Sequence, residues 1–116
     1  MGTDICMILT GGDRPHLGAV AVAQPRASLA DPLIISATTS IITLPGHKED
    51  VLARGAAARV AAASRANVTV CCGIHVDNIL PDEIAGIETM CNDIIDEVIV
   101  YINSARYTGA DGVEGI

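Results

Sequence analysis

Phe and Trp are absent from this chain, and Tyr is present only at 101 and 107. A surface that binds nucleic acid needs clustered Lys and Arg, commonly with aromatic platforms on which bases stack. Seven basic residues against fourteen acidic ones, a net charge of −7, provide neither. The same balance disfavours an anionic membrane surface. No apolar run reaches the roughly 20 residues of a transmembrane helix. The acidic N-terminus has no signal-type apolar segment, and the Met-Gly start has Cys6 where a myristoylation site places Ser or Thr. The expectation is a cytoplasmic protein that contacts neither nucleic acid nor membrane.

Cysteine is scarce as well. Cys6, Cys71, Cys72 and Cys91 form no Cys-x-x-Cys pair, and each falls in an apolar strand-like or helical run. They read as buried, reduced thiols rather than a disulfide frame or a zinc knuckle. Asn67-Val68-Thr69 matches a glycosylation sequon, which has no meaning in a cytoplasmic strand.

What is present is aliphatic: half of the 116 residues are hydrophobic, chiefly Ile, Val, Leu and Ala. A chain of this length buries about two thirds of its unfolded surface and holds a core without staples. It reads as one domain over residues 1–104, followed by a Gly-containing, aperiodic flexible tail over 105–116.

Residues 4–10 and 18–23 read as two short strands joined by a hairpin-sized segment, so the second returns antiparallel to the first. The β-branched run 33–44 supplies a third strand, a hairpin partner of the second. The Ala-rich stretch 48–65, acidic at its start and ending in Arg65, reads as a helix. Residues 67–72 form a fourth strand. A strand, crossover helix, strand unit places strands three and four parallel if they share a sheet. The second helix is marked by Ile84, Ile87, Cys91, Ile94, Val98 and Ile102 at three- and four-residue steps, broadened by Ile95 and Ile99. The expected fold is α+β, a mainly antiparallel sheet with two helices in the order β-β-β-α-β-α.

There are three histidines, each in a short segment after a strand-like run: Gly11-Gly12-Asp13-Arg14-Pro15-His16, Pro45-Gly46-His47-Lys48-Glu49 and Gly73-Ile74-His75-Val76-Asp77-Asn78. Imidazole beside carboxylate ligates, donates or accepts near neutral pH. Strands one, three and four point the same way in this topology, so their carboxyl ends should gather the three segments along one sheet edge.

These segments carry a resemblance. Residues 10–23 (Thr-Gly-Gly-Asp-Arg-Pro-His-Leu-Gly-Ala-Val-Ala-Val-Ala), 44–50 (Leu-Pro-Gly-His-Lys-Glu-Asp) and 73–79 (Gly-Ile-His-Val-Asp-Asn-Ile) are similar to three signatures of the prenylated-flavin chaperone family. That family includes the D component of gallate-type, UbiD-like decarboxylase systems. The likeness covers about residues 4–104. It implies a fold related to the proteasome assembly chaperones, commonly dimeric, and a non-catalytic protein that holds prenylated FMN for a UbiD-type decarboxylase, with a flavin prenyltransferase as a further partner. The chain departs from the family pattern in one way: it begins close to the first signature, where family members are expected to carry an additional N-terminal strand, so the sheet edge beside strand one is expected to be bare or filled by a neighbouring subunit. On this reading Gly12, Asp13, His16, Gly46, His47, Lys48, Glu49, His75, Asp77 and Asn78 bind the cofactor.

Each segment has a plainer explanation beside the functional one. Gly11-Gly12-Asp13 suits a turn. Pro45-Gly46 opens a strand-to-helix junction in which Glu49 and Asp50 favour the helix dipole, although Gly46, His47 and Lys48 equally suit an anion such as a flavin phosphate. Asp77 or Asn78 closes the entry to the second helix, or Asp77 fixes the tautomer of His75. Arg54 and Arg59 are expected to be solvated.

Three functions compete. The first is a flavin-holding chaperone with Val20, Val22 and Ile74 as an apolar floor. The second is a metal-dependent enzyme in which His16, His47 and His75 hold the ion and Glu49 or Asp77 acts as base. The third is an assembly module whose second helix or open sheet edge makes a homodimer.

Overall fold

The computed structural model describes residues 1–14, 16–44 and 49–113, with side chains described as far as Arg106. The elements are β1 (Ile5–Gly12), β2 (Ala19–Ala27), β3 (Ile35–Thr43), α1 (Asp50–Ser64), β4 (Val68–His75) and α2 (Pro81–Val113). This is the expected α+β order.

The four strands form one mixed sheet in the order β1-β4-β2-β3. β2 pairs antiparallel with both β3 and β4, and β1 pairs parallel with β4. The directions agree with the sequence reading, but the neighbours differ in one place. β1 and β2 do not form a hairpin, because β4 inserts between them. Its Val68, Val70 and Cys72 are fully buried, and burial on that scale needs a central position, which outweighs the short connection between β1 and β2. β2 also runs further than expected, through Pro25, which pairs with Ala37.

Side chains alternate across a sheet, so one face collects Ala19, Ala21 and Ala23 of β2 with Val68, Val70 and Cys72 of β4, all fully buried. Against this face lies α1, whose Ala53, Ala56, Ala57, Val60 and Ala61 are equally buried. With small side chains on both surfaces, helix and sheet approach closely, and no large aromatic is needed to fill the gap. α2 packs on α1 through Cys91 and Ile95, which join the same core cluster. Arg59 of α1 bonds Asn92 at 3.4 Å and pairs with Asp96, so it ties the helices together while its side chain stays partly exposed.

α2 begins at Pro81, where the missing N–H costs nothing. Glu83 reaches back to accept the Leu80 N–H at 3.1 Å, one half of a capping box. The helix passes Ala105 and continues to Val113, so the backbone of most of the segment read as a tail is helical. Arg106 donates to the Ser64 carbonyl at 2.7 Å and to that of Thr3, clasping α2 to the start of the sheet. No helix is long and apolar enough to cross a membrane among the described residues.

The cysteines divide into two kinds. Cys72 and Cys91 are buried, as expected, whereas Cys6 is exposed and Cys71 half-buried on the face of the sheet away from the helices. Burial, reinforced by the negative charge of Glu49 and then by Cys91, pushes the Cys72 thiol up to about 12. Burial and Glu88 raise that of Cys91. Both are inert, protonated core residues.

Candidate functional site

β1, β3 and β4 share one direction, so Gly12, Thr43 and His75 end at the same edge of the sheet. The first and third histidine segments meet there. Asp13 donates its backbone N–H to the His75 carbonyl at 2.6 Å, and its carboxylate accepts the Asp77 N–H at 2.9 Å. The contact requires glycine at two places. Gly12 lies at φ +88°, and a Cβ there would collide with the His75 carbonyl. A Cβ on Gly73 would strike the carbonyl of His16.

Two histidine–carboxylate pairs result. His16 Nε2 lies 2.8 Å from Glu49 Oε1, and the pair is largely enclosed. His75 Nε2 lies 2.9 Å from Asp77 Oδ1 in a more open position, where Arg14 also reaches Asp77 at 3.2 Å. The two imidazoles stand edge to face, with centroids 5.6 Å apart. In each pair the carboxylate orients the ring and fixes which nitrogen carries the proton.

Glu49 occupies the N-cap position of α1, yet its side chain makes no capping hydrogen bond. It turns to His16 instead. A buried carboxylate thus stands at the helix N-terminus, with Asp50 in the first turn, and both use the dipole that the sequence reading offered to a phosphate. Gly46, His47 and Lys48 lie outside the described residues. Asn78 adopts a left-handed backbone at φ 54°, a conformation that Asn tolerates well, and turns the chain toward α2.

Beside the paired side chains opens a cavity of about 430 Å³ between the start of α1, the end of β4 and the first turns of α2. Leu52, Ile74, Val76, Ile79, Ile84 and Ile87 supply most of its wall, and Glu49, His75 and Glu88 mark its polar side. Of the floor residues named from sequence, only Ile74 lies here. Val20 and Val22 have the opposite pleat parity to the buried alanines of β2 and face away from the helices. The wall residues from α2 were legible as part of its apolar stripe, but not as cavity lining, because periodicity reports a face and not what covers it. The sequence pattern likewise assigns no role to Arg14, which the structure places beside Asp77.

The arrangement is suited to recognition. An apolar slot with a few fixed polar groups at one end holds and orients a molecule that is greasy on one side and hydrogen-bonding on the other. Among the described residues no three His, Cys, Asp or Glu side chains are grouped to hold a metal ion.

Comparison with known proteins gives a concordant result. Residues 1–103 match the family model described as the prenylated flavin chaperone LpdD-like domain. A curated relative, Protein LpdD of Lactiplantibacillus plantarum, is 25% identical over 109 residues, which span 90% of this chain and 73% of the relative.

Proposed function

Because this chain belongs to the prenylated flavin chaperone LpdD-like family, we propose that it binds prenylated FMN without transforming it and assists maturation of a UbiD-type decarboxylase in the cytoplasm. The observation that carries the reading is the cavity of about 430 Å³ whose apolar wall adjoins His75 and Glu49. Its volume falls within the roughly 300–1,000 Å³ of small-molecule sites.

The residues fit the group. Ile74, Ile79, Ile84 and Ile87 would take its hydrocarbon part, while His75 and Glu49 would hydrogen-bond its polar ring edge. Asp13, His16 and Asp77 hold these groups in place, and Asn78 turns the chain beside them. Gly46, His47, Lys48 and Arg14 would meet the phosphate. The prenylated flavin supplies decarboxylation chemistry only on the enzyme that receives it; on this chain it is cargo. A flavin prenyltransferase is the proposed donor, and the chaperone acts as a homodimer.

The test is a titration of the purified protein with prenylated FMN, FMN and riboflavin, followed by fluorescence or ultrafiltration. Prenylated FMN should bind tightest and riboflavin weakest. Equal retention of FMN and prenylated FMN would remove the role of the apolar wall, and equal retention of FMN and riboflavin that of the phosphate contacts. No retention of any of the three would overturn the reading.

A further inference from the structure

We propose that Gly18 is a positioning residue of the site: having no side chain, it leaves beside the start of β2 the space that the Glu49 carboxylate fills, and so holds that carboxylate on His16 at the polar end of the cavity. The structural half of the inference stands alone, and its ligand half rests on the flavin-holding reading above.

Gly18 immediately precedes β2 and is buried. A Cβ built on it would overlap Oε2 and the carboxyl carbon of Glu49 and lie 3.0 Å from Oε1, so the carboxylate rests directly against the glycine. The backbone cannot move aside. Gly18 donates its N–H to the Cys72 carbonyl at 2.9 Å and accepts the Leu44 N–H at 2.9 Å, which pins it to β4 on one side and to the residue after β3 on the other.

Glu49 is less free than the end of a long side chain usually is. It is 7% exposed, its carbonyl accepts the Ala53 N–H at 2.9 Å in the first turn of α1, and its Oε1 lies 2.8 Å from His16 Nε2. A methyl group at position 18 would therefore meet a fixed backbone and a seated carboxylate, and the carboxylate is the part that must leave. Burial first, and then the negative charge of Glu49, disfavour the thiolate of Cys72, the residue to which Gly18 is bonded.

The usual reason for a glycine does not apply here. Gly18 is not among the glycines with positive φ, unlike Gly12, so its backbone conformation admits alanine. Nor is a Cβ unwelcome at every glycine of the chain, since those of Gly55 and Gly86 would face open space. At Gly73 the added Cβ would strike the carbonyl of His16. The two glycines thus receive one partner of the pair each: Gly73 the backbone of His16, Gly18 the side chain of Glu49. Glu49 lines the cavity with His75 and Glu88, whereas Gly18 does not. Displacing the carboxylate from position 18 would change the polar groups a ligand meets without replacing any residue of the cavity wall.

The experiment is a double-mutant cycle of Gly18→Ala and Glu49→Ala, read by thermal melts and by prenylated FMN titration, together with nuclear magnetic resonance of the wild type. Gly18→Ala should lower the melting temperature by roughly 5 °C in the wild-type background, as for one lost hydrogen bond. It should cost far less in Glu49→Ala, which has no carboxylate to displace. An equal cost in both backgrounds, or a double variant that fails to fold where Glu49→Ala folds, would show that something else rejects the methyl group and would overturn the inference. In the wild type, the Gly18 Hα protons should show Overhauser contacts to the Glu49 Hγ protons, a reading that needs no variant to fold. Their absence would overturn it as well.

Prenylated FMN should bind Gly18→Ala about tenfold more weakly than wild type, matching Glu49→Ala, with no further loss in the double variant. Wild-type affinity in a Gly18→Ala whose melting cost vanishes in Glu49→Ala would overturn the ligand half. A wild type that retains no flavin would instead overturn the flavin-holding reading and the ligand half with it, while the melts and the Overhauser contacts still decide what Gly18 does for Glu49.

Discussion

His16 and Glu49, 33 residues apart in the chain, meet at 2.8 Å in a largely enclosed pair at the N-terminus of α1. The contact fastens the loop after β1 to the start of a helix that packs on β2, β3 and β4. It therefore joins structure and site in one interaction.

Glu49→Gln keeps the shape but removes the charge that orients His16, whereas Glu49→Ala also removes the partner of an imidazole that is mostly out of solvent. The expected losses of stability are about 1 kcal/mol for Gln and about 2–3 kcal/mol for Ala, in the range for a weakened and an abandoned charged hydrogen bond. Denaturant melts measure both. If Glu49 also faces the ligand, Glu49→Gln should weaken prenylated FMN binding by more than its stability loss explains. Equal binding by a folded Glu49→Gln would confine Glu49 to a structural role.

The sequence and the structure agree where local pattern and chain direction suffice. The element order follows from period and turn signals, and parallel β1, β3 and β4 were enough to bring the segments of His16 and His75 to one edge. Two things were not legible. The first is the central position of β4, since a six-residue apolar run does not say which strand it will separate, and only the burial of Val68, Val70 and Cys72 reveals it. The second is the work of Glu49. Placed after Pro45-Gly46-His47-Lys48, it reads as a dipole-favoured first-turn residue, and nothing local shows that its side chain turns away to His16. Cavity lining by Ile84 and Ile87 was hidden for a similar reason, because a stripe designed for core and a stripe that walls a slot have the same period.

The buried thiol of Cys72 gives a pH dependence with a definite sign. Its pKa rises from 9.0 to about 12 because burial disfavours the thiolate, with Glu49 and Cys91 adding repulsion. The unfolded chain thus releases a proton above about pH 9 that the folded chain keeps. Stability from this group is complete below pH 9 and falls as pH rises toward 12, by at most about 1.4 kcal/mol per pH unit. Thermal melts of wild type and Cys72→Val between pH 7 and 10.5 isolate the effect from other titrating groups. The wild type should lose more than the variant above pH 9; parallel curves would show that the thiol is not shielded as the structure indicates.

Ile94 and Ile95 are neighbours on α2 with opposite surroundings, and the contrast locates the core. Ile95 is 2% exposed within the cluster that contains Cys91, Val60 and Ala57, whereas Ile94 is 40% exposed. A carboxylate at 95 would be buried among aliphatic side chains without a cationic partner, a loss of several kcal/mol that is comparable to the whole stability of a small domain. Ile95→Glu should therefore unfold the protein, with loss of the cooperative thermal transition. Ile94→Glu adds one more acid to an already acidic surface and should cost less than about 1 kcal/mol. The helix-two stripe read from sequence would allow either residue to be an interface position, and the packing of α2 on α1 assigns Ile95 to the core. Were Ile95→Glu to stay folded and merely dissociate into monomers, α2 would be the homodimer surface, and this assignment would fall.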